Sequence, residues 1–238
     1  MAISQATATS RAARLLGFEL TRNFNHPYFA ANIADFWKRW HISLSTWLRD
    51  YIFYPFSRSM LLRYGSRHAT RIQIAAHLVT MLASGLWHGA NLTFVLWGLL
   101  HGVYLSAYCL LPTRKLAPAS PAGKRLWRVF SVLATFHLVL LAWVLFRTPS
   151  VRVVPDVYRR LADGVIVGLG SDALNLFLPV IALYGVMLAI DAGQRLTAED
   201  VFFRRLPAGA RSLIYMSAIS LMIFFAVKPY VPFIYFRF

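Results

Sequence analysis

The chain has 238 residues, of which 58% are hydrophobic and 14% are charged. Soluble domains are nearer half apolar and a quarter charged, so this composition predicts a membrane protein. The formal net charge of +16 would suggest nucleic acid in a soluble protein, but the apolar runs carry almost no charge. Basic residues are therefore expected to flank membrane spans, with membrane lipid and no nucleic acid as partner. The single cysteine, Cys109, excludes a disulfide within the chain.

Residues 34–52 have the periodicity of one amphipathic helix. At about 100° per residue, one face is aromatic and apolar and the other is charged. The first face comprises Trp37, Trp40, His41, Leu44, Trp47, Leu48, Tyr51 and Ile52, and the second includes Asp35, Lys38, Arg39, Arg49 and Asp50. Such a helix lies in the membrane interface or lines a cavity and does not span. From this pattern alone, His41 is more readily explained as a structural histidine than as a catalytic one.

Five candidate spans follow a basic segment at residues 55–71. They are residues 72–87, 92–111, 129–146, 174–190 and 213–227. Several are shorter than the roughly 20 residues of a full crossing, so some are expected to tilt, kink or re-enter. The basic segment predicts that residues 1–71 lie on the cytoplasmic side and that residues 72–238 form the transmembrane part. The predicted fold is all-α: one polytopic helical bundle of about five spans with an amphipathic or re-entrant helix.

The first two spans are joined by a short polar turn, His88-Gly89-Ala90-Asn91. Helices joined by so few residues must be antiparallel neighbours, and the orientation above places the turn outward. An ionisable side chain at membrane depth is costly and usually has a function, so His88 is the first candidate for a functional residue. His101 follows inside the second span, but no acidic residue joins the two histidines in this hairpin, and no metal site is predicted.

His88 and His41 stand out from the other histidines, and the chemistry that they allow is general-base catalysis. A neutral imidazole can take the proton of a hydroxyl group as that hydroxyl attacks an acyl thioester. The residues leave an alternative open, because a proton-coupled transporter could present the same histidines. The absence of paired carboxylates in the spans and of an inverted repeat argues against that alternative.

Three motifs in this chain resemble the signature of the membrane-bound O-acyltransferase family. They are residues 36–51 (FWKRWHISLSTWLRDY), residues 85–91 (GLWHGAN) and residues 97–102 (WGLLHG). Residues 23–28 (NFNHPY), 143–147 (WVLFR) and 233–238 (FIYFRF) resemble the branch that contains the alginate O-acetyltransferase membrane subunit. The teichoic acid D-alanyl transferase is a more distant likeness. The resemblance covers the C-terminal half of a typical member.

The resemblance implies a site and a reaction. His88 matches the family's catalytic histidine and His41 its second functional histidine, while Trp40, Arg39 and Trp87 are weaker candidates for contacts with the donor or the tunnel. No bound cofactor is implied. The donor would be acetyl-CoA or another acyl thioester, and the acceptor would be an exported polysaccharide such as alginate at the bacterial inner membrane. Transfer would involve a partner acyltransferase or an acyl-carrier protein.

Three departures from the family pattern keep the acceptor and the activity open. Phe56-Ser57-Arg58 replaces a Leu-Gly-Gly that is common in the alginate branch, and Leu92 stands where tryptophan is frequent. The spans that precede this half in a typical member help to wall the tunnel. A non-catalytic scaffold subunit, truncated relative to the family, is therefore a second alternative.

Overall fold

The computed structural model describes residues 16–17, 21–111, 118–166, 185, 193 and 206–226, and every regular element within them is helical. The chain divides into two compact units, Met1–Val167 and Gly168–Phe238. The first unit contains α1 (Ile33–Arg39), α2 (Ile42–Leu48), α3 (Tyr54–Tyr64), α4 (Ala69–Trp87), α5 (Leu92–Leu110), α6 (Pro121–Arg147) and α7 (Val154–Ile166). The second contains α8 (Ala208–Ala226). Short 3-10 turns lie at Pro27–Phe29, Ser66–His68 and Val151–Val153, and a π-helical turn, Arg49–Phe53, joins α2 to α3.

The prediction of one continuous helix over residues 34–52 is wrong, because the chain breaks at His41. This residue has a left-handed backbone, with φ 43° and ψ 56°. An upstream segment satisfies the backbone groups that the break leaves open. The carbonyl and the side chain of Asn23 accept hydrogen bonds from the first two N–H groups of α2, at 2.8 and 2.9 Å. The N–H of Asn25 donates to the last carbonyl of α1, at 2.9 Å.

The break also changes which side chains are buried. Trp37 in α1 and Leu44 and Leu48 in α2 are buried, as the periodicity predicted. Trp47 and Tyr51 were assigned to the same apolar face, but both are exposed in the structure. The left-handed residue and the π-helical turn each rotate the following residues away from a single helical register, so one face cannot continue through both.

The hairpin of α4 and α5 was predicted correctly as a pair of antiparallel neighbours. Glycines bring the two backbones together, because a Cβ atom on Gly85 would overlap the carbonyl of Phe94 and one on Gly98 would overlap that of Met81. A Cβ atom on Gly102 would lie 3.1 Å from the Cα atom of Leu78 in α4. At these glycines the two backbones touch with no side chain between them, so α4 and α5 pack closely together. The hairpin is therefore a rigid support for the turn that it carries.

Two of the described helices are long and apolar enough to cross a membrane: Leu92–Leu110 and Pro121–Arg147. The first predicted span, residues 72–87, lies in the 19-residue helix α4, and the fifth, residues 213–227, falls largely in α8. The fourth, residues 174–190, lies outside the described residues except for Gly185. The all-helical architecture is confirmed, and the count of five spans stays a prediction.

Candidate active site

The structure brings His41 and His88 together, although they are far apart in the sequence. The indole of Trp87 lies between them, with ring centroids 5.9 Å from His41 and 4.9 Å from His88, and it meets both imidazoles edge to face. The left-handed backbone of His41 lets its side chain leave the break between α1 and α2 toward the end of α4. A non-glycine residue in this conformation is uncommon and costs on the order of 1–3 kcal/mol, and such strain concentrates at functional sites.

His88 caps the C-terminus of α4, outside the apolar helices, and aromatic rings surround its imidazole. Phe146 lies 4.9 Å away and Trp97 5.3 Å away between ring centroids, both nearly perpendicular to the imidazole. Its backbone N–H donates to the Gly85 carbonyl at 3.1 Å, which continues the helix to its last turn. Gly89 then has φ 140°, a conformation that favours glycine, so the chain can reverse directly after the histidine.

Burial keeps both histidines neutral. Desolvation, and secondarily the nearby His41, lowers the pKa of His88 to about 4. Desolvation also lowers the pKa of His41, and a contact with its own backbone offsets part of that effect. The sequence has no aspartate or glutamate between Asp50 and Asp156, so the motif around His88 supplies no carboxylate to stabilise an imidazolium. At neutral pH, His88 is thus an unprotonated imidazole that can accept a proton.

The low pKa of His88 predicts an activity that persists into acid. A histidine of ordinary pKa, about 6.5, would be about three-quarters protonated at pH 6 and would lose most of its capacity as a base. With a pKa of about 4, His88 stays neutral at pH 6, and the rate should fall only as the pH drops toward 4. Rates of the acyl transfer that the motifs imply, taken between pH 4 and 8, measure this directly. His41 repels a protonated His88 only when it is itself protonated in acid, and His41→Gln removes that charge, so the acid limb should move to higher pH. A wild-type midpoint near pH 6.5 would contradict this account.

The side chain of Asn91 makes two hydrogen bonds that hold the end of the turn in place. Its side-chain oxygen Oδ1 accepts a hydrogen bond from the N–H of Thr93 at 3.1 Å, which caps the N-terminus of α5. Its Nδ2 group donates to the carbonyl of Pro149 at 3.1 Å, beyond the end of α6. One side chain therefore ties the turn that carries His88 to the end of the third long helix.

Asn91→Asp separates these two roles. The carboxylate keeps the cap on α5 but cannot donate to Pro149, so the rate should fall about 2- to 5-fold, as expected for one partly exposed hydrogen bond of about 0.5–1 kcal/mol. The thermal unfolding temperature should stay close to that of the wild type. Asn91→Ala loses the cap as well and should lower both quantities. A full rate in Asn91→Asp would show that the contact with Pro149 does not position His88.

A second feature is a cavity of about 360 Å³ beside α1. It lies among α1, α2, the π-helical turn, α4 and α5, and its lining includes Trp37, Lys38, Arg49, His77, Thr80 and Met81. Trp37 is 9% exposed and Thr80 is 8% exposed, and the indole Nε1 and the hydroxyl Oγ1 have no hydrogen-bond partner within the described part of the chain. Buried polar atoms without a partner point to a missing ligand or water.

Two indoles connect this cavity to His88. Trp37 lines the cavity and contacts Trp97 at 5.8 Å, and Trp97 in turn contacts His88 at 5.3 Å. The exposed cations Lys38 and Arg49 are also part of the cavity wall. The cavity is thus mainly apolar, with Lys38 and the Arg49–Asp50 ion pair at its wall, and two indoles separate it from His88.

The other candidates from the sequence have identifiable positions. Arg39 forms an ion pair with Asp35 one turn back in α1, at 2.9 Å. Trp40 packs in a ring cluster with Phe36 at 5.7 Å and Trp143 at 5.1 Å. The indole of Trp87 contacts both His41 and His88. Roles of Arg39 and Trp40 in donor binding stay predictions.

Comparison with known protein families identifies the family of this chain. The sequence profile of the membrane-bound O-acyltransferase family matches residues 3–144, which include both histidines, the cavity and most of α6. The chain belongs to the membrane-bound O-acyltransferase family. The resemblance that the motifs suggested is therefore confirmed, and with it the membrane-bound character of the protein.

Several curated O-acyltransferases of the family are similar to this chain. "Probable alginate O-acetylase AlgI" of Pseudomonas aeruginosa is 37% identical over 147 residues, 62% of this chain and 26% of that protein. The protein of the same name from Azotobacter vinelandii is 36% identical over 184 residues, 72% of this chain and 34% of that protein. The peptidoglycan O-acetyltransferase of Helicobacter pylori is 39% identical over 136 residues, 56% of this chain and 23% of that protein. This chain thus spans about a quarter to a third of these relatives.

The structure adds residues to which the sequence patterns assign no role in the site. His101 is 1% exposed and lies among Phe36, Trp37, Trp97 and Tyr104, and its Nδ1 has no hydrogen-bond partner among the described residues. Lys38 and Thr80 belong to the cavity. A lone hydroxyl or histidine inside an apolar run gives no sequence signal of what it faces. No cluster of three potential metal ligands occurs in the described ranges.

Proposed function

We propose that this chain acts in moving an acyl group, expected to be acetyl, from a thioester donor to hydroxyl groups of an exported polysaccharide such as alginate. The observation that carries the proposal is the neutral His88, held at a rigid turn beside His41, in a member of an O-acyltransferase family. The named relatives act on alginate and peptidoglycan, which supports a polysaccharide acceptor.

The proposed reaction needs one base and one oriented hydroxyl. His88 takes the proton of the acceptor hydroxyl as its oxygen attacks the carbonyl carbon of the thioester. The imidazolium formed stabilises the oxyanion beside it. Collapse of this intermediate breaks the carbon–sulfur bond, forms the ester and returns the proton from His88 to the departing thiolate. His41, which shares Trp87 with His88, serves as the second functional histidine and holds the site in place.

The cavity beside Trp37 is the proposed donor side of the site. Lys38 would pair with a phosphate group of a donor such as acetyl-CoA, since cationic side chains recognise phosphate. Arg49 pairs with Asp50 at 2.8 Å and would contact the donor only by exchanging that partner. A volume of about 360 Å³ falls in the range of small-molecule sites, about 300–1,000 Å³. The donor is a substrate here and not a bound cofactor.

The arrangement of charges supports the proposed orientation. Because α4, α5 and α6 alternate in direction, the start of α4 and the start of α6 lie at the same end of the bundle. This end carries Arg58, Arg63, Arg67, Arg71, Lys124, Arg125 and Arg128. The excess of positive charge favours the cytoplasmic side for this end, which places the His88 turn at the outward end.

The remaining expectations belong to this proposal. The chain would reside in the bacterial inner membrane with about five spans among residues 72–238. Of the segment 1–71, which the sequence assigns to the cytoplasmic interface, the basic part 55–71 would lie there, while the part around His41 packs beside the outward His88 turn. A partner acyltransferase or an acyl-carrier protein would complete the transfer. The residues 1–238 would represent the C-terminal half of the acyltransferase as a single membrane domain.

The proposal is tested with membranes from cells that carry the chain and from cells that lack it. Each is given labelled acetyl-CoA and alginate from which acetyl esters have been removed, and alkali-labile label in the polysaccharide is counted. Label that depends on the chain is expected. Equal label in both membranes, with the protein present in the first, would overturn the proposed function.

A further inference from the structure

Phe146 lies beside His88, as close between ring centroids as Trp87 does, at 4.9 Å. It belongs to the motif WVLFR at the end of α6, to which the proposed reaction assigns no role. Its centroid lies 4.9 Å from the imidazole of His88, 4.9 Å from Phe94, 5.3 Å from Trp97 and 5.2 Å from Trp143. The phenyl ring thus fills the volume where the histidine meets the α5–α6 interface.

From this placement we infer that Phe146 restricts the transferred acyl group to two or three carbons. The inference rests on the proposed function, because it concerns the acyl group that reacts beside His88. The acceptor oxygen must lie within hydrogen-bond reach of His88, and the acyl carbon that it attacks is then next to the same imidazole. An acyl chain that extends from this carbon toward α6 meets the edge of Phe146 directly.

The surrounding wall has little freedom to recede. Trp97 is 2% exposed and is held by Trp37, His101 and Trp143. The helix that carries it is fixed to α4 through Gly98, where no side chain separates the backbones. Close-packed interiors resist added volume, and extra methylene groups cost about 1–3 kcal/mol when the structure must shift. An acetyl group therefore fits beside Phe146 more easily than a butyryl group.

Replacing Phe146 tests the inference through the choice of substrate. Membranes that contain the wild type receive acetyl-CoA and butyryl-CoA in separate assays with deacetylated alginate, and the ratio of the two rates is compared. The wild type should prefer acetyl by at least about 10-fold, in the range set by a hydrophobic pocket for one or two methylene groups. Phe146→Ala removes the six-carbon ring, and the preference should fall by about 10-fold while acetyl transfer persists.

Two further variants make the result decisive. Phe130 lies on the same helix, where its ring is exposed and contacts Trp127. Phe130→Ala should therefore keep the wild-type preference. Phe146→Leu keeps an apolar side chain but shortens it, so it should give an intermediate preference even if Phe146→Ala does not accumulate in the membrane.

The outcomes separate this inference from the proposed function. Equal use of acetyl-CoA and butyryl-CoA by the wild type, or an unchanged preference in Phe146→Leu, would overturn the role of Phe146 and leave acyl transfer standing. Transfer of neither group by the wild type would overturn the proposed function, and the inference with it.

Discussion

His88→Ala should lower the rate of acetyl transfer by about 10²- to 10⁴-fold, the usual contribution of a positioned general base. The side chain lies at the connection between α4 and α5, so its loss removes the proton acceptor and leaves the backbone contact with Gly85 intact. The rate per mole of protein in the assay with labelled acetyl-CoA measures the effect. Binding of the donor should change little, because the cavity beside Trp37 does not include His88.

His137→Ala is the matched control for the loss of a histidine. His137 is exposed on α6, and its Nδ1–H donates to the Leu133 carbonyl one turn back at 2.7 Å. Its substitution should leave the rate within about 2-fold of the wild type, as is usual for a surface change. A loss in His137→Ala as large as that in His88→Ala would mean that the assay reports protein folding and not proton transfer.

Gly98→Ala should destabilise the first unit of the chain. In an open helix this substitution is favourable by about 1 kcal/mol. Here the added Cβ atom overlaps the carbonyl of Met81, so α4 and α5 must separate, at a cost of about 1–3 kcal/mol or more. The thermal unfolding temperature of the protein in detergent should fall by roughly 2–4 °C per kcal/mol. The rate should fall as well, because Trp97 and His88 depend on this helix pair.

Gly209→Ala provides the comparison, since a Cβ atom at that position of α8 meets nothing within 4 Å. Its unfolding temperature should equal or exceed that of the wild type. If Gly98→Ala were as stable as Gly209→Ala, the close contact of α4 and α5 described here would be incorrect.

The hairpin was predictable from the sequence because its signals are local. Two apolar runs joined by His88-Gly89-Ala90-Asn91 leave only an antiparallel pair, and the structure has that pair. The break at His41 was not predictable from periodicity, since the groups that stabilise it come from Asn23 and Asn25. A helical wheel records only the residues within its own window, so it cannot detect capping from another segment.

The site was predictable only in part, because its residues carry local motifs but their contacts depend on distant segments. His88 and His41 were singled out by their motifs, but their approach around Trp87 depends on how the break turns α1 against α4. Arg39 was a candidate for contact with the donor, and in the structure it pairs with Asp35, while Lys38 lines the cavity. The spacing of Asp35 and Arg39, four residues apart in a helix, was a signal for that ion pair.

The acetyl-ester content of the host's exported polysaccharide is the most direct test of the central claim. It should be compared between cells that produce the wild-type chain and cells that produce His88→Ala at equal abundance in the membrane. We expect the esters to be lost in the variant, because the reaction depends on the neutral imidazole of His88. An unchanged content of acetyl esters in the variant would contradict the assignment of His88 as the base and the proposed reaction with it.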